Sequence, residues 1–150
     1  MNYHNILKDN MNNGDGLRAV LFVSGCNHHC KGCQNPQTWD SNSGIPFDDD
    51  AKQELFAELS KDYISGLTLS GGDPLHPSNR NEITALCKEV KAKFNKSIWL
   101  YTGYTYNQVK DLEVMKYIDV LCDGLYIEKL RDISLKWVGS SNQKVIYLCK

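Results

Sequence analysis

Leu17-Arg-Ala-Val-Leu-Phe-Val23-Ser24-Gly25-Cys26-Asn-His-His-Cys30-Lys-Gly-Cys33 is the stretch from which the architecture can be read. Its first half is a short apolar run, rich in β-branched residues, that stops at Ser24-Gly25, the signature of a buried strand. The cysteine loop follows at once. In α/β folds, reactive groups gather at the carboxyl ends of strands, and these thiols stand at such an end. Their spacing is C-x3-C-x2-C, and it stops at three. A four-iron cluster held by three thiolates keeps one iron without a protein ligand, free to bind a small molecule and pass it an electron. Closed structural sites use four protein ligands instead.

The same run admits other readings. Structural zinc would use the three cysteines with His28 or His29 as fourth ligand. The six cysteines are also an even count, as a disulfide framework would need. Against disulfides, the N-terminal Met1-Asn-Tyr-His is polar and has no apolar leader, so a reducing, cytoplasmic setting is expected. Cys87 lies in a helical pattern and Cys122 follows an apolar run, so both read as core. Cys149 reads as an exposed penultimate residue.

Bulk properties narrow the class. A chain of 150 residues, 41% of them hydrophobic, suffices for one domain, 1–150, with its own core. The net charge of -1 gives no electrostatic case for nucleic acid or a membrane surface. The longest apolar stretch, Ala19 to Val23, is far too short to span a bilayer.

Working outward, strands and helices alternate. Asp48-Asp-Asp50 supplies an N-cap and negative charge at a helix start, with Leu55, Phe56 and Leu59 at helical spacing. Ile64 to Leu69 reads as a second strand, closed by Ser70-Gly-Gly-Asp-Pro74. A helix over 79–94 follows, with Ile83, Leu86, Cys87, Val90 and Phe94 on one face. The spacing then predicts a strand over 97–101, a helix over 107–116 and a strand over 118–122. Leu125-Tyr-Ile127 extends the sheet, and a last strand spans 144–148. This alternation predicts an α/β fold with a mostly parallel sheet. It is too short for an eight-fold barrel, so a compact partial (βα) barrel is expected. The cysteine loop, Gly71-Gly72-Asp73-Pro74, Thr102-Gly103 and Asp123-Gly124 all fall at carboxyl ends of strands, and so converge on one rim.

The Gly71-Gly72-Asp73-Pro74 turn is neither a P-loop nor a dinucleotide fingerprint, since the required glycines and lysine are missing. Paired glycines let the backbone turn sharply and expose its polar groups, and Asp73 adds an anionic acceptor. Carbonyls and a carboxylate suit a ligand ammonium group. A plain strand-to-helix turn would look the same.

Taken together, the two motifs resemble the radical S-adenosylmethionine (SAM) superfamily. The resemblance implies a radical SAM domain of partial-barrel type, with a 4Fe–4S cluster on Cys26, Cys30 and Cys33. It also implies that SAM chelates the open iron, with the Gly71-Gly72-Asp73 turn on the SAM amino group. The aromatic residue usual before the third cysteine is replaced by Gly32. The implied contact to adenine therefore comes from the backbone of Gly32, Cys33 and Gln34. Further stretches narrow the likeness: Leu21-Phe-Val-Ser-Gly-Cys26, Cys33-Gln-Asn35 with Thr38-Trp39, Leu69-Ser-Gly-Gly-Asp-Pro-Leu-His-Pro77, Trp99 to Tyr104, Val120-Leu-Cys-Asp-Gly124 and Trp137-Val-Gly-Ser-Ser-Asn-Gln143. These are similar to the activating proteins of anaerobic ribonucleotide reductases, over nearly the whole chain. Two departures stand out: 13–18 lacks an expected proline, and Val138 stands where an arginine is expected.

The resemblance implies reductive cleavage of SAM and formation of a glycyl radical on the large subunit of the anaerobic ribonucleotide reductase. It also implies an external one-electron donor such as a flavodoxin. The remaining residues carry open readings. His28 and His29 are ligands or supporting residues of the loop. Asn35 supports the loop or makes an Asx turn. Thr102 and Tyr104 touch SAM or form a turn, and Asp123 is similar. Trp39, Trp99 and Trp137 read as core or interface. Ser140 has no base partner and no nucleophilic role. The competing functions are an activase of a different glycyl-radical enzyme and a small zinc-binding interaction module.

Overall fold

The computed structural model describes residues 1–33 and 36–148. Strands β1 (Asn2–Asn10), β2 (Arg18–Val23), β3 (Ile45–Pro46), β4 (Gly66–Gly71), β5 (Ser97–Tyr101), β6 (Val120–Asp123) and β7 (Lys144–Tyr147) alternate with helices α1 (Asp49–Leu59), α2 (Arg80–Phe94) and the single-turn α3 (Tyr106–Val109). All seven strands join one sheet, in the order β3-β1-β2-β4-β5-β6-β7. The strands β2, β4, β5 and β6 pair in parallel and form its centre. Antiparallel strands flank them, β1 and β3 on one side and β7 on the other.

The parallel centre follows from residue choice. Ala19, Leu21 and Val23 of β2, Leu67 and Leu69 of β4, Ile98 and Leu100 of β5, and Leu121 of β6 are buried in one core cluster. α1 adds Ala51, Leu55 and Leu59 to it, and α2 adds Ile83, Leu86, Cys87 and Val90. Each fully buried leucine contributes roughly 2 kcal/mol. The opposite sheet face carries a smaller cluster of Trp99, Val120 and Cys122, with Trp137, Val138 and Val145 packed on it. α1 starts as its sequence demands: Ala51 N–H donates to Asp48 Oδ1 at 2.9 Å, and Asp49 and Asp50 occupy the first turn.

Two expectations need correction, and one strand is not legible in the sequence pattern. β1 is a strand that the pattern hides, because a bulge between Tyr3 and Asn5 puts the buried residues Tyr3 and Ile6 three apart rather than two. The helix expected over 107–116 splits into α3 and a 3-10 turn, Glu113–Lys116, because Leu112 takes an extended conformation. The Leu125–Ile127 stretch lies outside the sheet. The expected parallel pairing holds through the centre of the sheet, and its flanks are antiparallel. Among the described residues, no helix is long and apolar enough to cross a membrane.

Candidate functional site

The carboxyl ends of β2, β4 and β5 do meet, and backbone hydrogen bonds join them. Gly72 N–H donates to Val23 O at 2.8 Å and Asp73 N–H to Gly25 O at 2.7 Å, so the glycine turn and the root of the cysteine loop are one unit. The chain returning from the loop closes it: Gly25 N–H donates to Thr38 O at 2.7 Å and Cys26 N–H to Trp39 O at 2.9 Å. Gly71 is obligatory here. Its φ is 105°, and a Cβ would stand 2.5 Å from both the N and the O of Val23. A strand backbone cannot move aside for it. Gly71→Ala is therefore expected to lower stability by about 3 kcal/mol. Urea unfolding of the cluster-free chain checks this, and a change below about 1 kcal/mol would show that the turn has slack.

Asp73 is buried, 1% exposed, and its carboxylate organises the rim. Oδ1 accepts from Leu75 N–H at 2.9 Å, Oδ2 accepts from Gly103 N–H at 3.0 Å, and the Thr102 hydroxyl lies 2.9 and 3.0 Å from the two oxygens. His28 Nε2 reaches Oδ2 at 2.7 Å. The carboxylate that the sequence offers to a ligand ammonium is thus held by donors of the chain itself. Asn79 adds a link that the sequence reading missed. It was read as a helix start, yet its buried side-chain amide donates to Ser24 O at 2.7 Å and Asp73 O at 3.2 Å.

The Cys26, Cys30 and Cys33 thiols are half-buried and form no disulfide with one another. Desolvation by burial pushes the thiols of Cys26 and Cys30 up, while backbone N–H groups oppose it: those of His28 and His29 at Cys26, and that of Tyr126 at Cys30. Such N–H contacts favour thiolate and suit the sulfurs of a cluster. The donor set therefore fits an iron–sulfur group. Among the described residues, no three His, Cys, Asp or Glu side chains gather closely enough to hold a single metal ion. The two histidines are engaged away from the thiols: His28 bonds Asp73, and His29 (φ 48°) stacks on Trp39 at 4.5 Å.

Elsewhere, Gly32 has φ 78°, and a Cβ there would meet the Glu128 carboxyl at 3.1 Å. Gln34, Asn35 and Cys149 lie outside the described residues. Tyr104 packs edge-on against His28, and Asp123 accepts from Tyr106 N–H at 2.8 Å as part of a turn. Ser140 is buried and accepts from Ile127 N–H at 3.2 Å. Cys87 and Cys122 are core, and burial pushes both thiols up to about 12. Trp99 is core as well, with Trp137 against it at 5.7 Å.

A rim that offers three closely spaced cysteines beside a glycine turn defines a cluster-binding α/β protein, and comparison with known proteins agrees. Residues 12–146 match the family of 4Fe-4S single cluster domains. An anaerobic ribonucleoside-triphosphate reductase-activating protein of Enterobacteria phage T4 is 50% identical over 146 residues, covering 97% of this chain and 93% of that protein. Proteins of the same name are 43% identical in Vibrio cholerae, covering 97% of each chain, and in Escherichia coli K12, covering 99% of each. The chain belongs to the family of anaerobic ribonucleoside-triphosphate reductase-activating proteins.

Proposed function

We propose that this chain is a radical SAM activase, with Cys26, Cys30 and Cys33 holding a 4Fe–4S cluster that has one open iron. When bound, the cluster would supply one electron for reductive cleavage of SAM to methionine and a 5′-deoxyadenosyl group able to take a hydrogen atom from a glycine α-carbon of the reductase. The protein's tasks are to bind, orient and shield. The observation that carries the reading is the direct bonding of the cysteine loop to the Gly71–Asp73 turn, Asp73 N–H to Gly25 O at 2.7 Å. That linkage fixes one motif against the other, as a ligand shared between them requires.

In this reading the Gly71, Gly72 and Asp73 turn presents its backbone to the SAM amino group while the Asp73 carboxylate stays tied to the chain, Gly32, Cys33 and Gln34 offer backbone to the adenine, and Thr102 closes the rim. The parallel strands β2, β4, β5 and β6, with α1 and α2 on one face, form the partial (βα) barrel of the radical SAM type. The partner is the anaerobic ribonucleoside-triphosphate reductase that the relatives' name gives as their target, met at its large subunit, and a flavodoxin-type protein supplies the electron. The setting is cytoplasmic.

Anaerobic reconstitution with iron and sulfide, then EPR of the dithionite-reduced chain with and without SAM, tests this. A reduced 4Fe–4S signal that changes shape on adding SAM is expected. Tightly held zinc with no cluster signal would overturn the reading in favour of a binding module.

A further inference from the structure

His28 lies where three segments meet. It comes from the cysteine loop, and its Nε2–H donates to Asp73 Oδ2 at 2.7 Å, an acceptor 2% exposed at its side chain. Its ring stands edge-on to Tyr104, 4.7 Å between centroids at 77°. It also lies over the backbone of Gly103: a Cβ at that position would stand 2.5 Å from His28 Cδ2 and 2.7 Å from Nε2. Gly103 has no positive φ, so its lack of a side chain serves this contact and not a turn. The neighbouring His29 is anchored in another direction, on Trp39. The eight-residue loop 26–33 has no regular helix or strand. Holding such a segment in one register needs specific ties against its conformational entropy.

We infer that His28 is a positioning residue that latches the cysteine loop to the Asp73 carboxylate and the Thr102–Tyr104 exit of β5. The latch sets the register of the loop before any cofactor arrives. It rests on the proposed function only for its consequence, which is to place the open iron at a fixed offset from the Gly71–Asp73 turn. Its partners explain why the loop carries a histidine here: the side chain must both donate to a buried carboxylate and fill the space above Gly103 with a flat ring.

Hydrogen–deuterium exchange of the cluster-free full chain tests the latch directly, comparing wild type with His28→Ala, His28→Gln and Gly103→Ala. In His28→Ala, amides of 26–33 and 103–105 are expected to exchange about tenfold faster, while those of α2 and the centre of β5 keep their rates. Gly103→Ala, which pushes the ring away, should reproduce this. His28→Gln retains an N–H donor and should restore most of the protection. Wild-type exchange of the loop in His28→Ala overturns the latch. Uniform acceleration through α2 and β5 in both alanine variants also overturns it, because His28 would then hold the whole fold and not the loop. In the reconstituted chain, His28→Ala should keep its iron but bind SAM about tenfold more weakly, with a diminished SAM-induced EPR change and rescue by His28→Gln. No SAM response in the wild type would sink the proposed function and leave the exchange result standing.

Discussion

If the proposed function holds, Cys30→Ala is expected to abolish the reduced cluster signal, and with it any glycyl radical formed on the reductase. Cys30 is the middle thiol of the loop, between Cys26 and Cys33. Removing it leaves two thiolates, too few to hold a four-iron cluster with one open iron. Loss of a supporting contact alone costs ten- to a hundredfold in metal affinity, so loss of a ligand is expected to exceed about a hundredfold. The fold should not notice. Cys30 is half-buried on a loop, outside both core clusters, so unfolding of the cluster-free variant should stay within about 0.5 kcal/mol of wild type. Iron and sulfide analysis beside EPR and a urea titration separates the two effects. Full iron content with an unaltered EPR signal in Cys30→Ala would mean that the C-x3-C-x2-C reading is wrong.

That prediction uses what the sequence carries most clearly. Three thiols at fixed short spacing, directly after a β-branched run, are local information, and so is Gly71-Gly72-Asp73-Pro74. The parallel centre was legible for a similar reason: β2, β5 and β6 are nearly continuous apolar runs, as strands buried on both faces must be, and β4 is a short Leu-Thr-Leu segment closed by its glycine turn. What stayed hidden depends on contacts between distant residues. β1 is polar, and its bulge breaks the alternation that would have revealed it. His28 could be read as a ligand because nothing in Cys26-Asn-His-His-Cys30 says that its partner is Asp73, 45 residues on. Asn79 has the composition of a helix cap, yet it ties Ser24 to Asp73 and makes no side-chain cap bond. Gly103 reads as a turn glycine until the ring above it is seen. The chemistry of the site was therefore written in short motifs, and its positioning in pairs that no periodicity links.

Arg18→Ala is expected to cost about 4 kcal/mol of stability. Arg18 opens β2 and is 1% exposed. Among the described residues no carboxylate bonds it; neutral oxygens saturate it instead. Nε donates to Thr68 Oγ1 at 2.9 Å, and Nη1 to Asp15 O at 3.0 Å and Ser97 Oγ at 2.9 Å. Nη2 donates to Leu67 O at 2.9 Å and Ser97 O at 2.8 Å. All five guanidinium protons are thus used, and the group lies 5.7 Å from the centre of the Trp99 ring. Burial pulls its pKa down to about 10, so it stays charged at neutral pH. The side chain joins β2 to β4, to β5 and to the 13–15 segment, whose Asn13 O accepts from the Thr68 hydroxyl at 2.6 Å. Alanine would leave a cavity lined by several unpaired acceptors, each costing about 1–3 kcal/mol if water cannot reach it. Lysine carries the charge but not the planar fork, so Arg18→Lys should recover less than half of the loss. Because this clamp sits at the amino ends of the parallel strands, opposite the cysteine loop, the iron content of any folded Arg18 variant should match wild type. Urea unfolding measures the first expectation and iron analysis the second. A change in stability below about 1 kcal/mol for Arg18→Ala would show that water replaces the guanidinium, and that the strands are held in register by their apolar contacts alone.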